Sequence, residues 1–298
     1  MRNFSITRLI PKSRSLLYWM MPKFLDFTDY RLTKTKIRNL EIQVNDLQER
    51  INNSTEVDEY YFKLISIIEP VQNNEKLIRL GSENDGGYII PVRFMRNTSW
   101  ITIGLGANVD FENELASLGN QVKSFDHTIL SRPLRLSRLV TWYKIGWGSP
   151  KNSRELASLS DILRIAEIDL QRSWCLKFDI EGNEWDLISQ IHNLNKLPSL
   201  ICCEIHGLKF NPDYSNNRDR IEKLQLLLKH YECIYINGNN YSADLKSKYV
   251  NIHDIVELTL IKKDLLSVKN KKYLKTYSKI NHLNNKIGAT TYTLRRER

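Results

Sequence analysis

No stretch of this chain approaches the roughly 18–20 consecutive apolar residues that cross a bilayer, which excludes a membrane-spanning helix. Cysteine is scarce: Cys175, Cys202, Cys203 and Cys233 are the four in 298 residues, and they show no paired spacing. That excludes a zinc site of the paired-cysteine type and a disulfide framework, and all four are expected to be reduced core residues of a cytoplasmic protein. A small-residue cleavage site is also missing behind the apolar run Leu16–Met21, so no secretory signal is expected. Met1–Lys23, with Arg2, Arg8, Lys12 and Arg14 around apolar residues, reads either as a peripheral membrane anchor or as a segment that packs on protein.

What is present in excess is positive charge, and it is uneven. The net charge is +10. Residues 1–50 hold ten Lys/Arg against five Asp/Glu, and residues 262–298 hold eleven against two. The middle, 51–261, is left with 23 basic and 27 acidic residues, a net −4. Hydrophobic residues make up 41%, enough for a substantial core. Basic ends on a mildly acidic centre argue against a nucleic-acid groove at an active site. They suit solvated tails or contact with an anionic surface.

The chain is organised around Ile101-Thr-Ile-Gly-Leu-Gly-Ala-Asn-Val-Asp-Phe-Glu112. Trp100–Ile103 reads as a short buried strand, Gly104-Leu-Gly106 as a turn, and Asp110–Leu118 as a helix stopped by Gly119. Strand, glycine turn and helix form the first unit of an open α/β sheet, in which the glycines let backbone approach a ligand. The next strand, Gln121–Phe125, ends in Asp126, about 20 residues past the glycines, where such folds place the acid for a ribose diol. Val109 stands where a dinucleotide fingerprint has its third glycine. The turn is therefore a poor cradle for pyrophosphate and suits a nucleoside cofactor without phosphates.

Upstream, residues 31–52 read as a helix with Ile37, Leu40, Val44, Leu47 and Ile51 at spacings of 3, 4, 3 and 4. This is a coiled-coil stripe of about two heptads, able to make a homo-oligomer or to dock on its own domain. Asn52–Thr55 is expected to end that helix, and Val57–Ile68 to form a second one closed by Pro70. Asp85-Gly86-Gly87 reads as a tight turn between short extended segments. Further strands are expected at Leu139–Tyr143, Trp174–Gly182, Ser199–Gly207, Cys233–Ile236 and Val256–Ile261, with helices from Ser158, at Asn183–Leu194 and at Arg218–His230. The organisation read from this is a basic and helical extension over 1–70, a catalytic domain over 71–265 and a basic tail over 266–298.

Ligands of an open parallel sheet bind beyond the carboxyl ends of the strands. Asp126, then Asp179 with Glu181, then Glu204 with His206 close three of those strands. Alternation puts Asp179 and Glu181 on one side of their strand, and Glu204 and His206 on one side of theirs. Two chemistries fit. In one, His206 or a carboxylate removes a proton from a hydroxyl. In the other, Asp179, Glu204 and His206 hold a divalent ion, Mg²⁺ or Mn²⁺, that polarises the acceptor.

Six pieces of the chain carry a family resemblance: Arg79–Tyr88, Gly104–Glu112, Phe125–Thr128, Leu176–Trp185, Glu204–His206 and Asn239–Tyr241. Together they resemble the FkbM-type S-adenosylmethionine-dependent methyltransferases, over roughly 75–262, with Lys-x-Asp-x-Glu-Gly-x-Glu-Trp as the most specific piece. The resemblance implies an α/β class I methyltransferase (Rossmann-like) fold: a seven-stranded, mostly parallel sheet with its last strand antiparallel, behind an N-terminal helical extension. It implies S-adenosyl-L-methionine as cofactor and O-methylation of a saccharide or glycan acceptor. Gly104, Gly106 and Asn108 would lie against the cofactor's methionine and ribose, and Asp85, Gly86 and Gly87 at the edge of the same pocket. Asp126 would take the ribose hydroxyls, His127 would lie near adenine, and Asp179 and Glu181 would face the methyl group and the acceptor. Family members often carry Glu at the position of Asp126. Two other functions compete: a nucleic-acid methyltransferase, against which stands the lack of an Asn/Asp-Pro-Pro-aromatic motif, and a non-catalytic scaffold dimerising through 31–52.

Overall fold

The computed structural model describes residues 27–71, 73–212, 214–246, 250–266 and 295–296. The basic start, Met1–Lys23, lies outside the described residues, as does nearly all of the tail from 267. The chain divides into two compact units, Met1–Glu56 and Val57–Arg298.

In chain order the elements are helix α1 (Phe27–Ile68), hairpin strands β1 (Leu77–Leu80) and β2 (Tyr88–Pro91), β3 (Ser99–Ile103), α2 (Asp110–Ser117), β4 (Gln121–Phe125) and β5 (Val140–Tyr143). Short β6 (Gly146–Trp147) and β7 (Leu156–Ala157) follow, then α3 (Leu159–Ala166), β8 (Trp174–Phe178), α4 (Glu184–His192), β9 (Leu200–Ile205) and α5 (Tyr214–Leu227). The chain ends with β10 (Tyr231–Gly238), β11 (Asp244–Lys246), β12 (Val250–His253), β13 (Val256–Lys262) and β14 (Arg295–Arg296). Thus Arg295–Arg296 of the basic tail pairs with Val250–Asn251.

The central sheet has seven strands in the order β10-β13-β9-β8-β3-β4-β5. β13 is antiparallel to both neighbours, and the pairs from β9 through β5 are parallel. The strands alternate between two cores. Ile101, Ile103, Leu176, Phe178 and Cys203 join the helices on one face, while Trp100, Cys175 and Cys202 join α2 and the β1–β2 hairpin on the other. Cys202 and Cys203 therefore point to opposite faces, and all four cysteines are free and buried. Nearly continuous burial of β8 and β9 follows from parallel strands covered on both sides.

One expectation fails in α1. The helix runs from Phe27 to Ile68 without the break expected at Asn52–Thr55. Asn, Ser and Thr in a helix interior each cost only about 0.5 kcal/mol relative to Ala, and the segment has no Gly or Pro. Its last turns are held by burial of Tyr60, Tyr61, Leu64, Ile65 and Ile68. Gly146–Trp147 forms β6, paired in parallel with β7.

The sheet's winding fixes where a ligand belongs. From β3 the chain steps to β4 and β5 on one side, then crosses to β8 on the other. The switch point lies between the carboxyl ends of β3 and β8, where open α/β sheets bind ligands.

Candidate active site

At the switch point the strand ends are stitched together by main chain. Gly104 N donates to Phe125 O at 3.0 Å, Asp126 N to Tyr143 O at 3.1 Å, and Asp179 N to Ile103 O at 3.0 Å. Gly104 has φ +81°, and a β-carbon on it would overlap the Asp179 carbonyl. Only glycine suits both demands. Gly106 also has a positive φ, +61°, but a β-carbon there would meet nothing within 4 Å. The first glycine serves the sheet; the second opens onto free space.

Asp126 holds the turn. Its Oδ2 accepts from Leu105 N and Gly106 N, both at 2.9 Å, and its Oδ1 from Thr128 N at 2.8 Å and Thr128 Oγ1 at 2.6 Å. Burial opposes ionisation here, but the donors from Gly106, Thr128 and Leu105 outweigh it and lower the Asp126 pKa. Four bonds engage the roughly four lone-pair sites of a carboxylate, so a ribose diol would have to share or displace them. His127 is half-buried, packed so closely on Gly146 that no β-carbon would fit there.

The Asp85-Gly86-Gly87 turn joins β1 to β2, the hairpin expected. Arg79 closes it by donating to Ser82 O at 2.8 Å and to Asn84 O. Asn108 Nδ2 donates to Asp85 O at 2.6 Å, and a β-carbon on Gly86 would crowd Asn108. This loop is tied to the glycine turn through Asn108.

Beyond β8 the acids gather. Ligand atoms of Asp179, Glu181 and His206 lie within 4.8 Å of one another. Asp179 Oδ1 is buried with no hydrogen-bond partner, while Tyr88 Oη donates to Oδ2 at a long 3.4 Å. Glu181 is not placed by strand alternation, because β8 ends at Phe178 and Glu181 sits in a left-handed turn at φ +53°. That turn swings its exposed carboxylate to 3.3 Å from His206 Nε2.

Glu204 departs from the expected metal set. It lies outside the group formed by Asp179, Glu181 and His206, and accepts from Asn239 Nδ2. It also stands directly opposite Glu257 across β9 and β13, both of them buried. Burial, then the charges of Asp179 and Glu257, raise the Glu204 pKa to about 9, against the Asn239 bond and His206. For His206, burial disfavours the charged ring. The bond and charge of Glu184, helped by Glu204 and Asp179, prevail and raise it to about 9. Glu204 is thereby pushed toward its neutral form, and His206, against Glu184, toward its cation.

Several residues of the site carry no role in the sequence reading. Glu184, fully buried, accepts from Ile180 N at 3.0 Å and Gly182 N at 3.0 Å and bonds His206 Nδ1 at 3.1 Å. It staples the loop after β8 to the start of α4. Trp185 is buried and donates to His206 O at 2.9 Å. Lys177, buried in β8, donates to Gly104 O and lies 5.4 Å from the Tyr88 ring centroid. The Lys-x-Asp-x-Glu-Gly-x-Glu-Trp spacing was the signal for three of these. Asn239 also lay in a noted piece, but Glu257 had no sequence signal.

A seven-stranded sheet with this strand order and antiparallel last strand is the Rossmann-like class I methyltransferase fold. No protein-family model and no curated protein matches the chain. Among solved structures it is similar to a TehB-like SAM-dependent methyltransferase from Corynebacterium glutamicum, at 12% identity and TM-score 0.31, covering 56% of this chain and 82% of that one. It is also similar to the Methanococcus jannaschii fibrillarin pre-rRNA processing protein, at 14% identity and TM-score 0.29, covering 64% and 83%.

Proposed function

We propose that the protein is an S-adenosylmethionine-dependent O-methyltransferase that acts on a hydroxyl of a saccharide or glycan, as the FkbM-type motifs imply. The observation that carries this is the position of Asp179: at the switch point, against Gly104, with one carboxylate oxygen buried and unpartnered. An orphaned buried acceptor is costly unless something binds it. The bound cofactor would supply an activated methyl group. Gly106, with open space at its β-position, is where its methionine part would pass, and His127 and Asp126 would flank the nucleoside side.

Methyl transfer is an in-line displacement, so the protein chiefly aligns two reactants and receives one proton. Glu184 favours the charged ring of His206, which makes His206 the weaker candidate for that base. Asp179 is the better acceptor of the hydroxyl proton, with the His206 charge close enough to favour a developing alkoxide. A divalent ion on Asp179, Glu181 and His206 would compete with the ring proton for His206; we place direct proton transfer to Asp179 first. Activity that vanishes with chelator and returns with Mg²⁺ or Mn²⁺ would reverse that preference. The excess acid around Asp179 also suits a neutral acceptor better than a nucleic-acid phosphate chain. Calorimetry with S-adenosylmethionine tests the reading: one site per chain is expected, and no binding would remove it. Mass spectrometry of glycans incubated with labelled donor then identifies the acceptor.

A further inference from the structure

The stripe on α1 is left over from everything above. Leu40 and Val44 are 59% and 51% exposed in a helix that is already continuous from Phe27 to Ile68. In heptad terms Ile37, Val44 and Ile51 take one seam position (a) and Leu40 and Leu47 the other (d). β-Branched residues at a with Leu at d favour two parallel strands over higher assemblies.

The flanking charges choose the same partner and direction. Lys36 falls at position g and Glu41 at position e of the next heptad; both are exposed. In a parallel, in-register pair Lys36 of one copy faces Glu41 of the other, twice by symmetry, and the next such pair is Gln43 with Gln48. The antiparallel register that sets Ile37 against Leu47 and Leu40 against Val44 does the opposite, placing Lys36 against Arg50 and Glu41 against Glu41. Like charges there repel. We infer that residues 30–54 form a parallel, in-register two-stranded coiled coil with a second copy of this chain.

Sedimentation equilibrium on the full chain is expected to show a concentration-dependent dimer of twice the 35.1 kDa monomer mass. Leu40→Asp should give a monomer with unchanged circular dichroism. Glu41→Lys should weaken the dimer about tenfold, and Lys36→Glu with Glu41→Lys should restore it. With the native cysteines buried, Ile37→Cys should cross-link to a covalent dimer under oxidation, since equivalent a positions are adjacent only in the parallel register. A monomer throughout the micromolar range overturns the inference, whether the stripe then covers its own chain or meets a membrane. Failure of the charge swap to rescue, or of Ile37→Cys to cross-link, overturns the register. None of these readouts depends on methyl transfer.

Discussion

The carbonyl of Asp179 occupies the place where a β-carbon of residue 104 would stand, so β3 and β8 close on each other only because residue 104 is glycine. The same contact fixes the Asp179 carboxylate, with its unpartnered Oδ1, beside the glycine turn.

Gly104→Ala and Gly106→Ala should separate fold from binding. Gly104→Ala combines a positive φ with a backbone clash and should cost about 3 kcal/mol or more, lowering the melting temperature sharply. Gly106→Ala, strained but unobstructed, should cost about 1 kcal/mol in stability while weakening binding of S-adenosylmethionine. Equal effects of both variants on stability would contradict the distinction.

Asp126→Ala should weaken cofactor binding and also loosen the turn, because it leaves the Leu105, Gly106 and Thr128 donors unmatched. A stability loss of about 2 kcal/mol is expected for buried donors left unpaired. Calorimetry and thermal melts on the same variant check both; unchanged cofactor affinity would remove Asp126 from the binding site.

Most of the sheet was legible in the sequence. β3 and β8 announce themselves as largely apolar runs closed by Gly104 and Asp179, and the β3–turn–α2 unit stands nearly as read. The unbroken α1 was not, because small polar residues only weakly oppose a helix and Val57–Ile68 anchors it by burial. The site was legible as a list of acids but not as a set of pairs. Glu181 reaches His206 through a left-handed turn that alternation does not foresee. Glu204 instead accepts from Asn239 in the loop after β10 and faces Glu257 of β13, neither of which alternation along β9 reveals.

Stability should fall as pH rises. An unfolded histidine titrates near 6.5, so the contribution of His206 is complete below that and fades as pH climbs through about 9. Glu204, also raised to about 9, acts in the same direction from about 4.5 upward. Together a loss on the order of 1–3 kcal/mol between pH 6 and 9 is expected. Melting temperatures across that range should flatten in His206→Gln; an equally steep decline would show that other groups govern it.

Tyr88→Phe should leave the fold intact and reduce turnover only a few-fold, since its bond to Asp179 is long at 3.4 Å. A loss as large as that of an Asp179 variant, in a steady-state rate assay, would make Tyr88 a direct participant.

The central claim is that Asp179 takes the proton at a methyl-transfer site. Transfer of labelled methyl from S-adenosylmethionine to a glycan acceptor should proceed with the native chain and drop at least about a hundredfold in Asp179→Asn, with the melting temperature and cofactor affinity preserved. Native-like turnover in that variant would contradict the account.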